Sequence, residues 1–312
     1  AYQWLSGGSQ LGTGASIALV PSMVQPGDTV QCRATVTDPS GAEDSNQASV
    51  DIVNIDPVAT TLTISPSVIY NDSTVTCNVA GTDADNQTLT ESYQWRIGGV
   101  LIGNTQSLTL SSLTASAGDE LECTGTVTDV SGGNDTLVDS IVIDNRVPTV
   151  SGVTILPTSP TTNSTLNCTV SGQDADDEIL TESYAWLNVS TGQLLGTGSS
   201  LSLDPSIVQP SEVIQCSAQL TDPNSASASD TQTVTAVNTS PAISGISITP
   251  SITYNDTVLT CSVSGSDADD QSLVASYQWL NGNVVLGTAQ TLTLSSSLAQ
   301  VGDSISCVAT LT

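Results

Sequence analysis

One aromatic pair that recurs at a domain's interval restricts this chain more than any other feature. Tyr-x-Trp ends at Trp4, Trp95, Trp186 and Trp279, so successive tryptophans lie 91, 91 and 93 residues apart. The text after each pair is shared too: Leu101-Ile102-Gly103 follows the second and Val285-Leu286-Gly287 the fourth, each leading into a Leu-Thr-Leu-like run. Then comes a glycine–acid pair, Gly27-Asp28, Gly118-Asp119 or Gly302-Asp303, replaced by Ser211-Glu212 in the third copy. Four residues beyond the acid stands Cys32, Cys123, Cys216 or Cys307. A period of this length is that of tandem domains.

Within each copy, apolar residues alternate with polar ones. Val75, Cys77 and Val79 share one face, Tyr93, Trp95 and Ile97 another, and Leu108 and Leu110 a third. Period two is the pattern of half-buried antiparallel strands, and no stretch of ten or more residues carries helical periodicity. The expected fold is all-β. Asn54-Ile55-Asp56-Pro57, Asn145-Arg146-Val147-Pro148 and Asn238-Thr239-Ser240-Pro241 each follow a β-branched run, and a proline there ends a ladder and stiffens a short connection. The expected organisation is a partial domain over 1–54, complete domains over 55–145 and 146–238, and a partial domain over 239–312 lacking its last strand. The chain then reads as a window on a longer repetitive protein. An aspartate is expected to follow Thr312, as it follows Thr37, Thr128 and Thr221.

The cysteines fall into the same frame. Cys77 and Cys123 flank Trp95, Cys168 and Cys216 flank Trp186, and Cys261 and Cys307 flank Trp279, at separations of 46, 48 and 46 residues. One disulfide per domain is expected, worth about 4 kcal/mol on the chain-entropy account. Cys32 is the odd one, because its partner falls before residue 1. Zinc would need closely spaced cysteine pairs, and there are none.

Cys, then Trp, then Cys in a domain of this length resembles the immunoglobulin-like sandwich. The resemblance implies Cys77 on strand B, Trp95 on strand C packed over the bridge, and Cys123 on strand F. Trp4, Trp95, Trp186 and Trp279 are then core residues, with a sugar-stacking platform as the alternative. Two features depart from antibody domains: a Cys-to-Trp interval of 18 residues, and Leu121, Ile214 or Ile305 where a tyrosine would stand two residues before the strand-F cysteine. The copies are closer to the divergent sandwiches of microbial surface proteins, including polycystic-kidney-disease-type repeats.

The extra residues between Cys and Trp are acidic: Asp83-Ala84-Asp85-Asn86, Asp174-Ala175-Asp176-Asp177 and Asp267-Ala268-Asp269-Asp270. In a sandwich this is the B–C loop, at the same end as the F–G loop with Asp129 or Asp222 and as the entry linker with Asp56 or Asp144. The preceding domain offers Asp28, Asp119 or Glu212 from its E–F loop. Each joint is therefore expected to collect carboxylates, for example Asp119, Asp144, Asp174, Asp176 and Asp222, with the amide of Asn145. This order is similar to that of cadherins and of calcium-rigidified bacterial adhesin repeats, and it implies Ca²⁺ as a cofactor held by oxygen ligands. Two carboxylates about 5 Å apart repel by roughly 3 kcal/mol at an effective dielectric near 20. The competing reading is acid that decorates a solvated surface.

Composition narrows the function. Lys+Arg total 3, all arginine, against 31 acidic residues and no histidine, for a formal charge of −28. Such a chain cannot neutralise nucleic-acid phosphates or hold an anionic membrane surface. No apolar run approaches a membrane span. Without histidine or lysine the chain lacks the commonest proton shuttle and the Schiff-base amine, and the paired acids recur in every copy as a scaffold feature would, so no enzyme is expected. The expected role is a structural segment of an extracellular or cell-surface stalk, adhesin or fibre, partnered by its neighbouring repeats or by other copies in a filament. A glycan- or protein-binding module is the alternative. Asn-x-Ser/Thr patterns at Asn71, Asn86, Asn134, Asn163, Asn167, Asn188, Asn238 and Asn255 permit glycosylation, and a Ser/Thr-rich chain also produces them by chance.

Overall fold

The computed structural model describes residues 1–312, and every element in it is a strand or a turn. By contact density the chain divides into two units: residues 1–146 with Ala175–Asp177, and residues 147–174 with 178–312.

In the first unit, β1 (Tyr2–Ser6), β2 (Ser9–Thr13), β3 (Thr29–Thr37) and β4 (Glu43–Asp51) form one sheet in the order β2-β1-β3-β4. The next repeat has two sheets. β5 (Val58–Ser65), β6 (Thr74–Thr82) and β9 (Ser107–Thr109) pair as β5-β6-β9, and β7 (Thr90–Ile97), β8 (Val100–Gly103), β10 (Glu120–Thr128) and β11 (Asn134–Val142) as β11-β10-β7-β8. In immunoglobulin terms these are an A-B-E sheet and a G-F-C-C′ sheet, a seven-strand sandwich. The β7–β8 hairpin turns at Gly98 and Gly99, whose φ values of +55° and +81° are open to glycine without strain.

The second unit repeats the plan. β12 (Thr149–Leu156), β13 (Thr165–Gln173) and β16 (Ser200–Ser202) face β14 (Thr181–Asn188), β15 (Gln193–Thr197), β17 (Val213–Thr221) and β18 (Ser227–Thr235), the two sheets being ordered β12-β13-β16 and β15-β14-β17-β18. The last repeat has β19 (Ala242–Thr249), β20 (Val258–Ser266) and β23 (Thr291–Thr293) in one sheet. Its other sheet is β21 (Ala275–Asn281), β22 (Val284–Gly287) and β24 (Ile305–Leu311), ordered β22-β21-β24. The fold is that of tandem immunoglobulin-like sandwiches.

Each core is built the same way. Trp95 lies directly across the ladder from Cys123, Trp186 from Cys216 and Trp279 from Cys307, so indole and strand-F sulfur share a face. The other sulfur comes from the facing sheet, through Cys77–Cys123, Cys168–Cys216 and Cys261–Cys307. These three tryptophans are fully buried. Each donates its Nε1–H over 2.9 Å to a backbone carbonyl, that of Thr105, Gly198 or Ala289, so burying the indole leaves no donor unpaired. Trp4 makes the same bond to Gly14 and is only partly buried, because its repeat has a single sheet here.

Candidate metal centre

The Asp-x-Asp loops are tied by local hydrogen bonds. Asp83 Oδ1 accepts the backbone N–H groups of Asp85 at 2.7 Å and Gln87 at 3.1 Å, and Asp267 Oδ1 accepts that of Asp269 at 2.7 Å. The loop then passes through a left-handed residue at the same place in three repeats, Asn86 at φ 54°, Asp177 at φ 59° and Asp270 at φ 57°. Asn and Asp tolerate that conformation best among residues with a side chain. The last residue of the motif is thus explained by backbone geometry.

The F–G aspartates cap their own hairpins. Asp129 Oδ1 accepts the N–H groups of Ser131 at 2.8 Å and Gly133 at 2.9 Å, and Asp38 and Asp222 hold their turns likewise. In both Asp83 and Asp129 one carboxylate oxygen is committed to the loop.

At the linker Asn54–Pro57 the second oxygen of Asp129 is taken up. Asn54 Nδ2 donates to Asp129 Oδ2 at 2.8 Å and reaches Asp56 Oδ1 at 3.4 Å. The bond to Asp129 is the largest cause holding that carboxyl below the usual range, with N–H groups of the F–G turn adding to it against the effect of burial. A Cβ on Gly133 would stand 2.3 Å from Asp56 Oδ1, 2.7 Å from Asp129 Oδ2 and 2.8 Å from Asn54 Nδ2, the amide that donates to both oxygens, so this position has room only for glycine. In the same repeat Asn54 Oδ1, Asp83 Oδ2 and Gln87 Oε1 are each buried with no hydrogen-bond donor. In the third repeat, carboxylate oxygens of Asp174, Glu178 and Asp222 lie within 4.8 Å of one another, and Asp174 and Asp222 are buried. Glu178 occupies the place of Gln87, four residues after the first aspartate of the loop.

The second aspartate of each motif does something else. Asp85 Oδ2 accepts the N–H of Ile55 at 2.8 Å, Asp176 Oδ2 that of Arg146 at 2.6 Å, and Asp269 Oδ2 that of Thr239 at 2.6 Å. In every case the donor is the second residue of the linker. Asp176 is also approached by Arg146 Nη1 at 3.4 Å, and its carbonyl accepts Asn71 Nδ2 at 2.7 Å. Asp269 Oδ1 accepts the Thr162 hydroxyl, and Asp269 Oδ2 also accepts the Thr239 hydroxyl at 2.8 Å. Burial pushes the Asp269 carboxyl up, and these donors outweigh it and hold it below the ordinary value.

The E–F acids are not brought into these clusters. Asp28 accepts the N–H of Gln25, Asp119 that of Ser116 and Glu212 that of Gln209, each over 2.8 to 2.9 Å, so each caps its own turn. A donor three residues away outcompetes a distant cluster. Asp144 is exposed and Asp267 is partly buried. Asn54, Gln87 and Glu178 stand outside the acidic pattern expected to supply ligands. Their signal is positional: an Asn opens every linker, and Gln87, Glu178 and Gln271 stand at one place in the loop.

No protein-family model and no curated protein matches the sequence. Among solved structures, the three N-terminal domains of the highly immunogenic outer capsid protein (Hoc) of bacteriophage RB49 align with 81% of this chain and 92% of theirs, at 17% identity and a TM-score of 0.24. A Ca²⁺-stabilised adhesin with which an Antarctic bacterium binds ice aligns over 99% of this chain and 88% of its own, at 12% identity and 0.34. Repeats EC1–4 of Drosophila N-cadherin align over 99% and 90%, at 12% identity and 0.29. The fold assignment rests on the strand order and the disulfide–tryptophan cores.

Proposed function

We propose that this chain is a structural segment of an extracellular, cell-surface protein of microbial type, a stalk, adhesin or fibre, whose repeats over 55–145 and 146–238 are reinforced by disulfides and by calcium at the linker end. The single observation that carries the calcium reading is the cluster of Asp174, Glu178 and Asp222, whose carboxylate oxygens lie within 4.8 Å of one another with both aspartates buried. A hard dication taking six to eight oxygens, carboxylate and amide alike, satisfies such a set. In the second repeat Asn54 Oδ1, Asp83 Oδ2 and Gln87 Oε1 are each buried without a donor. A buried oxygen left unpaired costs about 1–3 kcal/mol.

The disulfides suit an oxidising compartment, and a chain with no histidine and no lysine suits a role without catalysis. Its partners on this reading are its own neighbouring repeats and other copies of the chain. The test is thermal unfolding of the chain in calcium and in EGTA. Calcium at a hundredfold excess over its dissociation constant should add about 2.7 kcal/mol per site. Superimposable melts would overturn the calcium reading and leave the acids as surface charge.

A further inference from the structure

Three repeats carry the same tight turn just before their second strand, and each turn is closed by the same bond. The N–H of its first residue donates to the hydroxyl three residues on: Tyr70 to Ser73 Oγ at 2.8 Å, Thr161 to Ser164 Oγ at 2.9 Å and Tyr254 to Thr257 Oγ1 at 2.9 Å. The turns therefore correspond residue by residue, as Tyr70-Asn71-Asp72-Ser73, Thr161-Thr162-Asn163-Ser164 and Tyr254-Asn255-Asp256-Thr257. Two of them are covered. Asn71 is buried and donates from Nδ2 to the Asp176 carbonyl at 2.7 Å. Beside it Tyr70 and Asp72 hold the guanidinium of Arg146, which lies 4.2 Å over the ring, pairs with the carboxylate and donates to the Ala175 carbonyl at 2.9 Å. Thr162 is buried and donates to Asp269, whose other oxygen is taken by Thr239. Turn and cover match: Tyr70 and Asp72 meet an arginine, and the turn without either meets a threonine. The third turn is exposed, Tyr254 to 73%, and its first three residues are those of 70–72, not those of 161–163.

We propose that Tyr254-Asn255-Asp256 is a docking surface for a repeat built like 146–238, one that lays an arginine against the tyrosine ring and the aspartate and sets a loop carbonyl on the Asn255 amide. An aromatic face and a carboxylate flanking one position select a planar guanidinium, which stacks and pairs at once where an ammonium is only a point charge. The Asn255 amide adds a donor that only an oxygen acceptor answers, so the occupant is an arginine with a loop beside it and not a bare cation. The proposal rests on the repeat-to-repeat partnership above and names its surface; it calls on no calcium.

The test is titration of the full chain with a separate fragment of residues 145–238, whose core and disulfide lie wholly inside it, so that it folds with Arg146 and its Asp-Ala-Asp loop uncovered. Without a tether the contact calls for fragment at about 1 mM, the effective concentration that a short linker supplies. There the fragment should slow hydrogen exchange in the 253–258 peptide of the chain, in calcium and in EGTA alike. Arg146→Gln in the fragment should weaken binding about tenfold or more, with Arg146→Lys in between. Tyr254→Ala/Asp256→Asn in the chain should weaken it as much, and because both side chains are exposed the melting temperature should not move. Binding that survives either change would mean that the repeats associate through another surface: the partnership would stand and this inference would fall. Protection seen only in calcium would assign the contact to the acidic loops and overturn it as well. No binding at about 1 mM would also overturn it, and the calcium reading would still be decided by its own melts.

Discussion

Thr162 and Asp269, 107 residues apart and both fully buried, share a hydrogen bond in which the threonine hydroxyl donates to carboxylate Oδ1. Thr239 supplies the other oxygen with its N–H and its hydroxyl. A buried carboxylate with three donors is held ionised despite its burial.

That bond makes an acid limb. Because the folded Asp269 carboxyl titrates below its ordinary value, its contribution is fully present above about pH 4, where the unfolded group is ionised, and is lost as pH falls through the folded value. The difference in melting temperature between the native chain and Asp269→Asn should be constant from pH 7 to about pH 5 and shrink below about pH 4. A difference that grows on acidification would contradict this sign.

Truncating the same residue strands its donors. Asp269→Ala should cost about 1–3 kcal/mol in urea unfolding, since Thr162 and the Thr239 N–H lose their acceptor. Thr162→Val removes one donor and keeps the other two, so its cost should be smaller. Equal losses for the two variants would mean that Thr239 contributes nothing.

Gly133 has no room for a side chain. A Cβ there meets Asp56 Oδ1, Asp129 Oδ2 and Asn54 Nδ2 within 2.8 Å, so Gly133→Ala should displace the second-repeat oxygen set while leaving Asp174, Glu178 and Asp222 untouched. Calorimetric titration of calcium should show one class of site fewer than in the native chain. An unchanged isotherm would place the ion elsewhere.

The disulfide and the indole should matter separately. Cys77→Ala/Cys123→Ala should cost about 2–5 kcal/mol. Trp95→Phe leaves the bridge and shrinks the core, stranding the Thr105 carbonyl that Trp95 Nε1 now reaches at 2.9 Å, for a loss of about 1–3 kcal/mol. Near-ultraviolet circular dichroism and urea midpoints would check both, and an unaffected midpoint in either variant would remove that residue from the core's energetics.

The tandem period, the all-β class and the tryptophan–cystine core are legible in the amino-acid sequence alone because each is written in spacing. Alternation at Val75, Cys77 and Val79 sets a face, and Trp95 between Cys77 and Cys123 sets the sandwich. These signals survive in one dimension because strand pleat and domain length repeat along the chain.

What each acid does is decided only in three dimensions. Asp28, Asp119 and Glu212 match the expected joint pattern in sequence, yet each turns to an N–H three residues back. Asp85, Asp176 and Asp269 take linker amides, while Asp83 keeps one oxygen buried, as do the neutral Asn54 and Gln87, which no count of charges would select. A carboxylate binds whichever donors folding brings within about 3 Å. At this end of the sandwich those donors arrive from 30 to 107 residues away, as when Asp85 takes Ile55 and Asp269 takes Thr162, a proximity created by loop closure and absent from local spacing.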